Sequence, residues 1–239
     1  MIRSLSPDRL RWFAGLAAIC WIALAEARAA GAQRLPFTVY SADEGLAASQ
    51  VWHVMQDRRG YLWVASTWGL CRYDGVSFTT LSIPEGLPSP NVRLTLEDGN
   101  YPLLPASDGS VWLGSIDGLS RLRFDATGAR SEIRVFAAAD GLARQRAYAI
   151  AADAAGRVFV AHGEALSYRD GERFSAVGAD SGLDTASVRS LGLTADGTLW
   201  AGGDARLARL VSAPGTGPPR FLSYGAESGL ADHLVLTIS

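Results

Sequence analysis

Residues 45–75 read GLAASQVWHVMQDRRGYLWVASTWGLCRYDG, and the same phrase returns along the chain. Gly-Leu pairs fall at Gly45-Leu46, Gly86-Leu87, Gly141-Leu142, Gly182-Leu183 and Gly229-Leu230. Fourteen residues beyond the leucine stands a turn glycine in three copies, Gly60, Gly156 and Gly197. In the second copy Gly109 lies twenty-two residues on, which implies an eight-residue insertion around 100–107. A large aromatic follows each turn glycine by three, as Trp63, Trp112, Phe159 and Trp200. Seven residues after it comes a second leucine, Leu70, Leu119, Leu166 or Leu207. Spacing held through four copies marks a repeated structural unit rather than a set of independent loops.

Within the first copy, 51–56 is rich in β-forming residues and Asp57-Arg58-Arg59-Gly60 supplies a turn. A second strand over 61–66, a turn at Thr67-Trp68-Gly69 and a third strand over 70–73 follow. Asp74-Gly75 is a hairpin signal leading into a fourth strand over 76–81. Four short antiparallel strands in about 41 residues is the size of one β-propeller blade. Blades stack face to face, so a first strand buried on both sides suits the unbroken apolar pairs Val51-Trp52 and Val54-Met55. An amphipathic helix over 46–56 is the competing reading, disfavoured by the Gly-Leu and Asp-x-x-Gly that flank it. A fifth copy starts at Phe221 and stops at Ser239, inside its first strand. An unclosed stack leaves an apolar face and a strand edge open. The chain is therefore expected to be the front part of a longer protein, with closure against another chain as the alternative. The predicted architecture is all-β: four four-stranded antiparallel blades and the start of a fifth, an incomplete propeller after an N-terminal signal helix. Its limits are 1–29 for the signal and 37–239 for the propeller, with blades at about 37–78, 78–135, 136–174, 174–220 and 221–239.

The bulk composition of the 239 residues narrows the function classes. A formal charge of −2 gives no electrostatic pull toward nucleic acid or an anionic membrane. The 26 glycines suit many tight turns. Cys20 and Cys71 cannot form a disulfide framework, and Cys71 is expected to be a small apolar filler in a strand. Arg3, Arg9 and Arg11 open the chain, an apolar run over 12–25 follows, and Ala27-Arg28-Ala29 suits signal peptidase. That apolar run falls short of the roughly 20 residues that span a bilayer. The chain is expected to be exported and periplasmic, with an uncleaved membrane anchor as the alternative. Ile19 before Cys20 is not the small residue a lipoprotein signal needs.

The phrase aromatic…Gly-Leu…Asp-x-x-Gly-x-Leu-Trp-Val-Ala-Ser-x-x-Gly-Leu-x-x-Tyr-Asp-Gly over 37–78 resembles the two-component regulator propeller repeat. Residues 78–124 resemble it nearly as well. The third and fourth copies depart from it, with Phe159 for tryptophan and with Ala165 and Arg206 for the glycine before the second leucine. The resemblance covers about 37–239. It implies seven-bladed propellers, often two in series, forming the periplasmic sensor of hybrid histidine kinases and diguanylate cyclases. In such proteins a small β-sandwich, a membrane helix and a cytoplasmic output domain follow. This chain then corresponds to the opening blades of a sensor, without catalytic activity of its own, reaching the membrane through a downstream segment. A dimer of the parent protein is a further implication.

Residues able to carry chemistry are few. His53, His162 and His233 stand at unrelated positions of the repeat, and no Cys or His pair has metal-ligand spacing. There is no glycine-rich phosphate loop and no Gly-x-Ser-x-Gly elbow. The recurring Asp-x-x-Gly reads as turn chemistry rather than a calcium loop. No catalytic residue, metal or cofactor is expected. His162-Gly163-Glu164 could form an acid–base pair of the kind found in streptogramin lyase-like propellers, although a histidine in a turn is more often simply solvated. The repeated tryptophans read as core, with sugar stacking second.

In an up-and-down blade the second turn and the connection between blades emerge on one face, where recognition residues gather. The variable positions there include Ser49, Thr67, Gln145 and Asp184. The candidate ligand-binding set is Gln50, Trp68, Asn91, Arg93, Asp117, Arg144, Arg146, His162, Arg189 and Asp204, against the plainer reading of a solvated rim. Trp68 suits a carbohydrate and the arginines suit an anionic small molecule. A scaffold that binds another protein through its open edge is a third reading.

Overall fold

The computed structural model describes residues 37–48, 50–66, 69–81, 102–115, 118–125, 129–144, 146–183, 187–213 and 216–230. The segment read as a secretory signal and the end of the fifth copy lie outside them. Every strand belongs to one unit, Tyr40–Ser239; Met1–Val39 forms a separate one. Among the described residues sixteen strands form four antiparallel sheets of four, each in simple sequence order. The first holds β1 (Val51–Gln56), β2 (Leu62–Ser66), β3 (Gly69–Tyr73) and β4 (Phe78–Leu81). The second holds β5 (Leu103–Pro105), β6 (Val111–Ser115), β7 (Gly118–Phe124) and β8 (Arg130–Phe136). β9 (Ala149–Ala152), β10 (Val158–Ala161), β11 (Leu166–Asp170) and β12 (Arg173–Ala176) make the third. β13 (Val188–Leu193), β14 (Leu199–Gly203), β15 (Arg206–Leu210) and β16 (Phe221–Tyr224) make the fourth.

The first strands of successive sheets are neighbours, β1 beside β5, β5 beside β9 and β9 beside β13. Sheets that meet along their first strands and stack by their faces are propeller blades. Three apolar layers fill the gaps between them. Trp63, Leu70 and Leu81 meet Leu103, Val111 and Leu122. Trp112, Leu119 and Phe136 meet Leu142, Val160 and Phe174. Phe159 and Leu166 meet Val188, Leu199 and Phe221. The aromatic three after each turn glycine is the bolt of its layer: Trp63 lies 5.2 Å from Phe124, Trp112 6.1 Å from Phe174, and Phe159 6.5 Å from Phe221.

Local chemistry sets the strand ends. Each recurring Gly-Leu among the described residues closes a 3₁₀ turn, Ala42–Glu44, Ala138–Asp140, Ala179–Ser181 or Ala226–Ser228, with its glycine left-handed. The fourth strand starts at Phe78 rather than 76 because Asp74 Oδ1 accepts from the N–H groups of Val76 and Ser77, both at 2.8 Å. β5 occupies the window assigned to the insertion, so the additional residues of the second copy precede its first strand. Residues 46–56 are not helical; β1 follows the first 3₁₀ turn. Burial of the first strand on both faces holds for β9 but fails for β1, where Val54 is 55% exposed. No described sheet packs on that side. Cys71 is buried, yet it is more than filler, since its sulfur accepts the Ala47 N–H at 3.3 Å.

Candidate functional site

The second turn of one sheet and the connection entering the next share a face. The Ala147 N–H donates to the Ser115 carbonyl at 3.2 Å, joining the second sheet to the third. One blade on, and one residue further along the turn, the Gly163 N–H donates to the Val188 carbonyl at 2.9 Å and the Val188 N–H returns the bond. These latches hold the candidate residues of the third and fourth blades together.

His162 sits where the first two blades have Ser66 and Ser115, whose hydroxyls close their own turns on the carbonyls of Gly69 and Gly118. It is buried, contrary to the solvated histidine expected of a turn. Nδ1 lies 2.8 Å from the Arg146 carbonyl, which can only accept, so the neutral ring carries its proton there. Nε2 then accepts from the Ser167 hydroxyl at 2.9 Å, and Ser167 Oγ accepts the Ala143 N–H at 3.0 Å. With both nitrogens engaged, the ring has no proton to exchange with a ligand. Glu164 points away at 79% side-chain exposure and pairs with Arg144 at 3.5 Å.

Burial holds the His162 pKa below its ordinary value of 6.5; the Arg146 carbonyl opposes this and the Arg144 charge adds to it. The unfolded chain therefore takes up this proton at higher pH than the folded one. Stability tied to the neutral ring is complete above pH 6.5 and is lost as pH falls toward the lowered value. Urea titrations from pH 7.5 to 5 should show stability falling by up to about 1.4 kcal/mol per pH unit per histidine. His162→Gln should flatten that slope, leaving the part owed to half-buried His53, whose pKa burial also lowers. An unchanged slope would show that the latch does not sense protons.

Around this latch the fold gathers four of the candidates: Arg144, Arg146, His162 and Arg189. The Arg146 guanidinium lies 4.6 Å and that of Arg189 5.4 Å from the centre of the Tyr148 ring. Arg189 Nε also donates to Ser187 Oγ at 3.1 Å. Gly163 lets Tyr148 approach so closely that a Cβ there would stand 3.0 Å from the ring. Two planar cations on one phenol offer forked donors to a carboxylate or sulfate. Sequence reading missed Tyr148 and Ser167; an aromatic at the position where the first blade has Trp52 was the available signal for Tyr148. Gln50 is exposed beside β1, and Asp204 is exposed in the turn before β15, next to Ala205 at φ 53°. Neither joins the cluster. Trp68, Asn91, Arg93 and Asp117 lie outside the described residues.

The turn aspartates are structural. Asp57 Oδ1 accepts the N–H groups of Arg59 and Tyr61, at 2.9 and 3.1 Å, while Oδ2 takes the Trp63 indole N–H at 2.9 Å. In the third blade Phe159 has no such donor, and buried Arg157 Nε fills the place, 2.7 Å from Asp153 Oδ2. The second and fourth blades move the acceptor two residues along. Asp108 Oδ1 takes the Ser110 N–H at 2.9 Å, and Asp196 Oδ1 the Thr198 N–H at 3.0 Å.

Residues 45–68 match the family model described as two component regulator propeller. The chain is similar to the extracellular domain ascribed to a one component system of B. thetaiotaomicron, at TM-score 0.57 and 19% identity, over 80% of this chain and 26% of that one. It is also similar to virginiamycin B lyase of Staphylococcus aureus, at TM-score 0.54 and 12% identity, over 76% and 57% of the two chains. A third likeness is to PorZ, a surface component of the type-IX secretion system of Porphyromonas gingivalis, at TM-score 0.52 and 12% identity, over 80% and 29%. At such identities the likeness establishes the β-propeller fold and nothing finer. The chain spans about a quarter of the length of the first of these structures. A search of curated proteins finds no match.

Proposed function

We propose that this chain, which carries the two-component regulator propeller repeat, is the front part of an exported sensor whose propeller face recognises a small-molecule ligand. The observation that carries the reading is the convergence of Arg144, Arg146 and Arg189 on the face shared by second turns and blade connections. The secretory pattern over 1–29 supports a periplasmic location, with an uncleaved anchor as the alternative. Among the described residues no helix is long and apolar enough to cross a membrane. A downstream segment would supply the membrane link, the dimer contact and a histidine kinase or diguanylate cyclase output. The ligand is a carbohydrate or an anionic small molecule, and the chain itself has no catalytic role. A lyase-like enzyme is disfavoured because His162 is locked between two backbone-anchored partners and Glu164 faces solvent.

The test uses the parent protein in its membrane, with output measured against neutral and uronate-bearing oligosaccharides. One of them should change output, and the double replacement Arg146→Ala with Arg189→Ala should weaken that response by about tenfold or more. A downstream sequence lacking both membrane helix and output domain would overturn the reading. So would a response that the double variant leaves intact.

A further inference from the structure

The interface between the second and third sheets is built differently from its neighbours. Each sheet offers forward the residue paired across from its bolt aromatic: Arg72 opposite Trp63, Arg121 opposite Trp112, Tyr168 opposite Phe159. The next sheet faces it with the third residue after its repeat leucine. In the second and fourth sheets that residue is apolar, Leu122 and Leu210, and joins the packed layer. In the third sheet it is Arg169. Of the three interfaces this one alone brings an arginine from each sheet to one ring, with Arg121 5.5 Å and Arg169 5.4 Å from the centre of the Trp112 ring.

Arg121 is only 4% exposed, yet no hydrogen bond among the described residues uses its guanidinium. Its Nε is buried without an acceptor, and so is Nε of Arg169. The nearby carboxylates are engaged elsewhere. Glu172 holds Arg169 Nη2 at 3.2 Å and Arg134 at 3.0 Å, Glu132 pairs with Arg123 at 3.4 Å, and Asp108 takes both donors of Ser110. Burial pulls the Arg121 pKa down, and the charges of Arg123 and Arg169 pull the same way against Glu172 and Asp108. A charge withdrawn from water without an acceptor is strongly unfavourable. In native proteins an orphan buried donor commonly marks an ion or a water.

We propose that a small monovalent anion, chloride in ordinary salt, binds between the second and third sheets on the Nε donors of Arg121 and Arg169 beside Trp112. Burial of both Nε atoms selects size, since a polyanion or an oligosaccharide cannot reach them. Charge selects an ion over water, because a water molecule satisfies the donors but supplies no negative charge to Arg121, whose guanidinium has no ion-pair partner among the described residues. The site shares no residue with the Arg146–Arg189 cluster and stands or falls independently of the sensing role.

Melting the full chain in sodium chloride, bromide and gluconate at equal ionic strength tests this. The halides should raise Tm by about 2–4 °C over gluconate, with saturation. Arg121→Gln should abolish the difference, whereas Arg123→Gln, on the same face, should keep it. Should Arg121→Gln fail to fold, crystals of the unaltered chain grown in bromide decide the matter. An anomalous peak within hydrogen-bond distance of both Nε atoms supports the site. Equal melting in halide and gluconate overturns it, as does a halide response kept by Arg121→Gln, or water alone at the two donors.

Discussion

Trp112→Ala should lower the unfolding free energy by about 4–5 kcal/mol, at the top of the range for deleting a buried aromatic. The ring is 1% exposed and stacks on Phe136 at 5.3 Å. It meets Phe174 of the next sheet edge-on, and Arg121 and Arg169 flank it. Truncation would therefore open a cavity between two sheets and strip two cations of the π surface that partly compensates their burial. Trp112→Phe should cost about 1–1.5 kcal/mol, because the third blade already uses Phe159 at this position. Trp200→Ala should cost less than half as much as Trp112→Ala. Trp200 is half-buried and lines open grooves of about 280 and 370 Å³, and its indole N–H has no partner among the described residues. Urea denaturation of the three variants checks the order. Equal losses at 112 and 200 would mean that the aromatic does not bolt one sheet to the next.

Gly141→Ala should cost about 3–4 kcal/mol from two sources. The glycine has φ 93°, a conformation that disfavours any side chain by about 1 kcal/mol. A Cβ there would also overlap the backbone carbonyl oxygen of Phe174. That carbonyl cannot retreat cheaply, because Phe174 is paired with Arg169 in β12–β11. Gly171→Ala separates the two contributions. Gly171 has φ 83° but nothing within 4 Å of the added carbon, so its cost should be the conformational 1 kcal/mol alone. If both variants lose the same stability, the close approach of the 3₁₀ turn to the fourth strand is not needed.

The fold was legible because its signals are backbone requirements repeated at fixed intervals. Gly60, Gly109, Gly156 and Gly197 all adopt positive φ, and an aromatic three residues later faces a neighbouring sheet or, for Trp200, an open groove. The 3₁₀ turns escaped notice because three residues carry no periodicity, and only Ser41 with Glu44 shows the side-chain pattern of a capping box. The insertion was misplaced because a spacing count cannot tell which side of a three-residue strand has grown. The candidate site was legible only in part. Variable loop residues named four side chains that the fold gathers around one latch, but the partners of His162 depend on contacts sixteen residues back, at Arg146, and five ahead, at Ser167. Nothing in the repeat spacing marks Arg121, since only the sheet stacked over it removes it from solvent.

The travelling aspartate bears on how such chains are enumerated. In two blades the carboxylate stands at the head of the turn and in the other two it sits immediately before the glycine, yet in either place it gathers the amide that leads into the second strand. A letter-by-letter profile scores the two spellings as different words, and here the family model reaches only 45–68. A census of these modules keyed to a left-handed glycine, an acceptor on either side of the bend and an aromatic three places on would count four where the profile counts one.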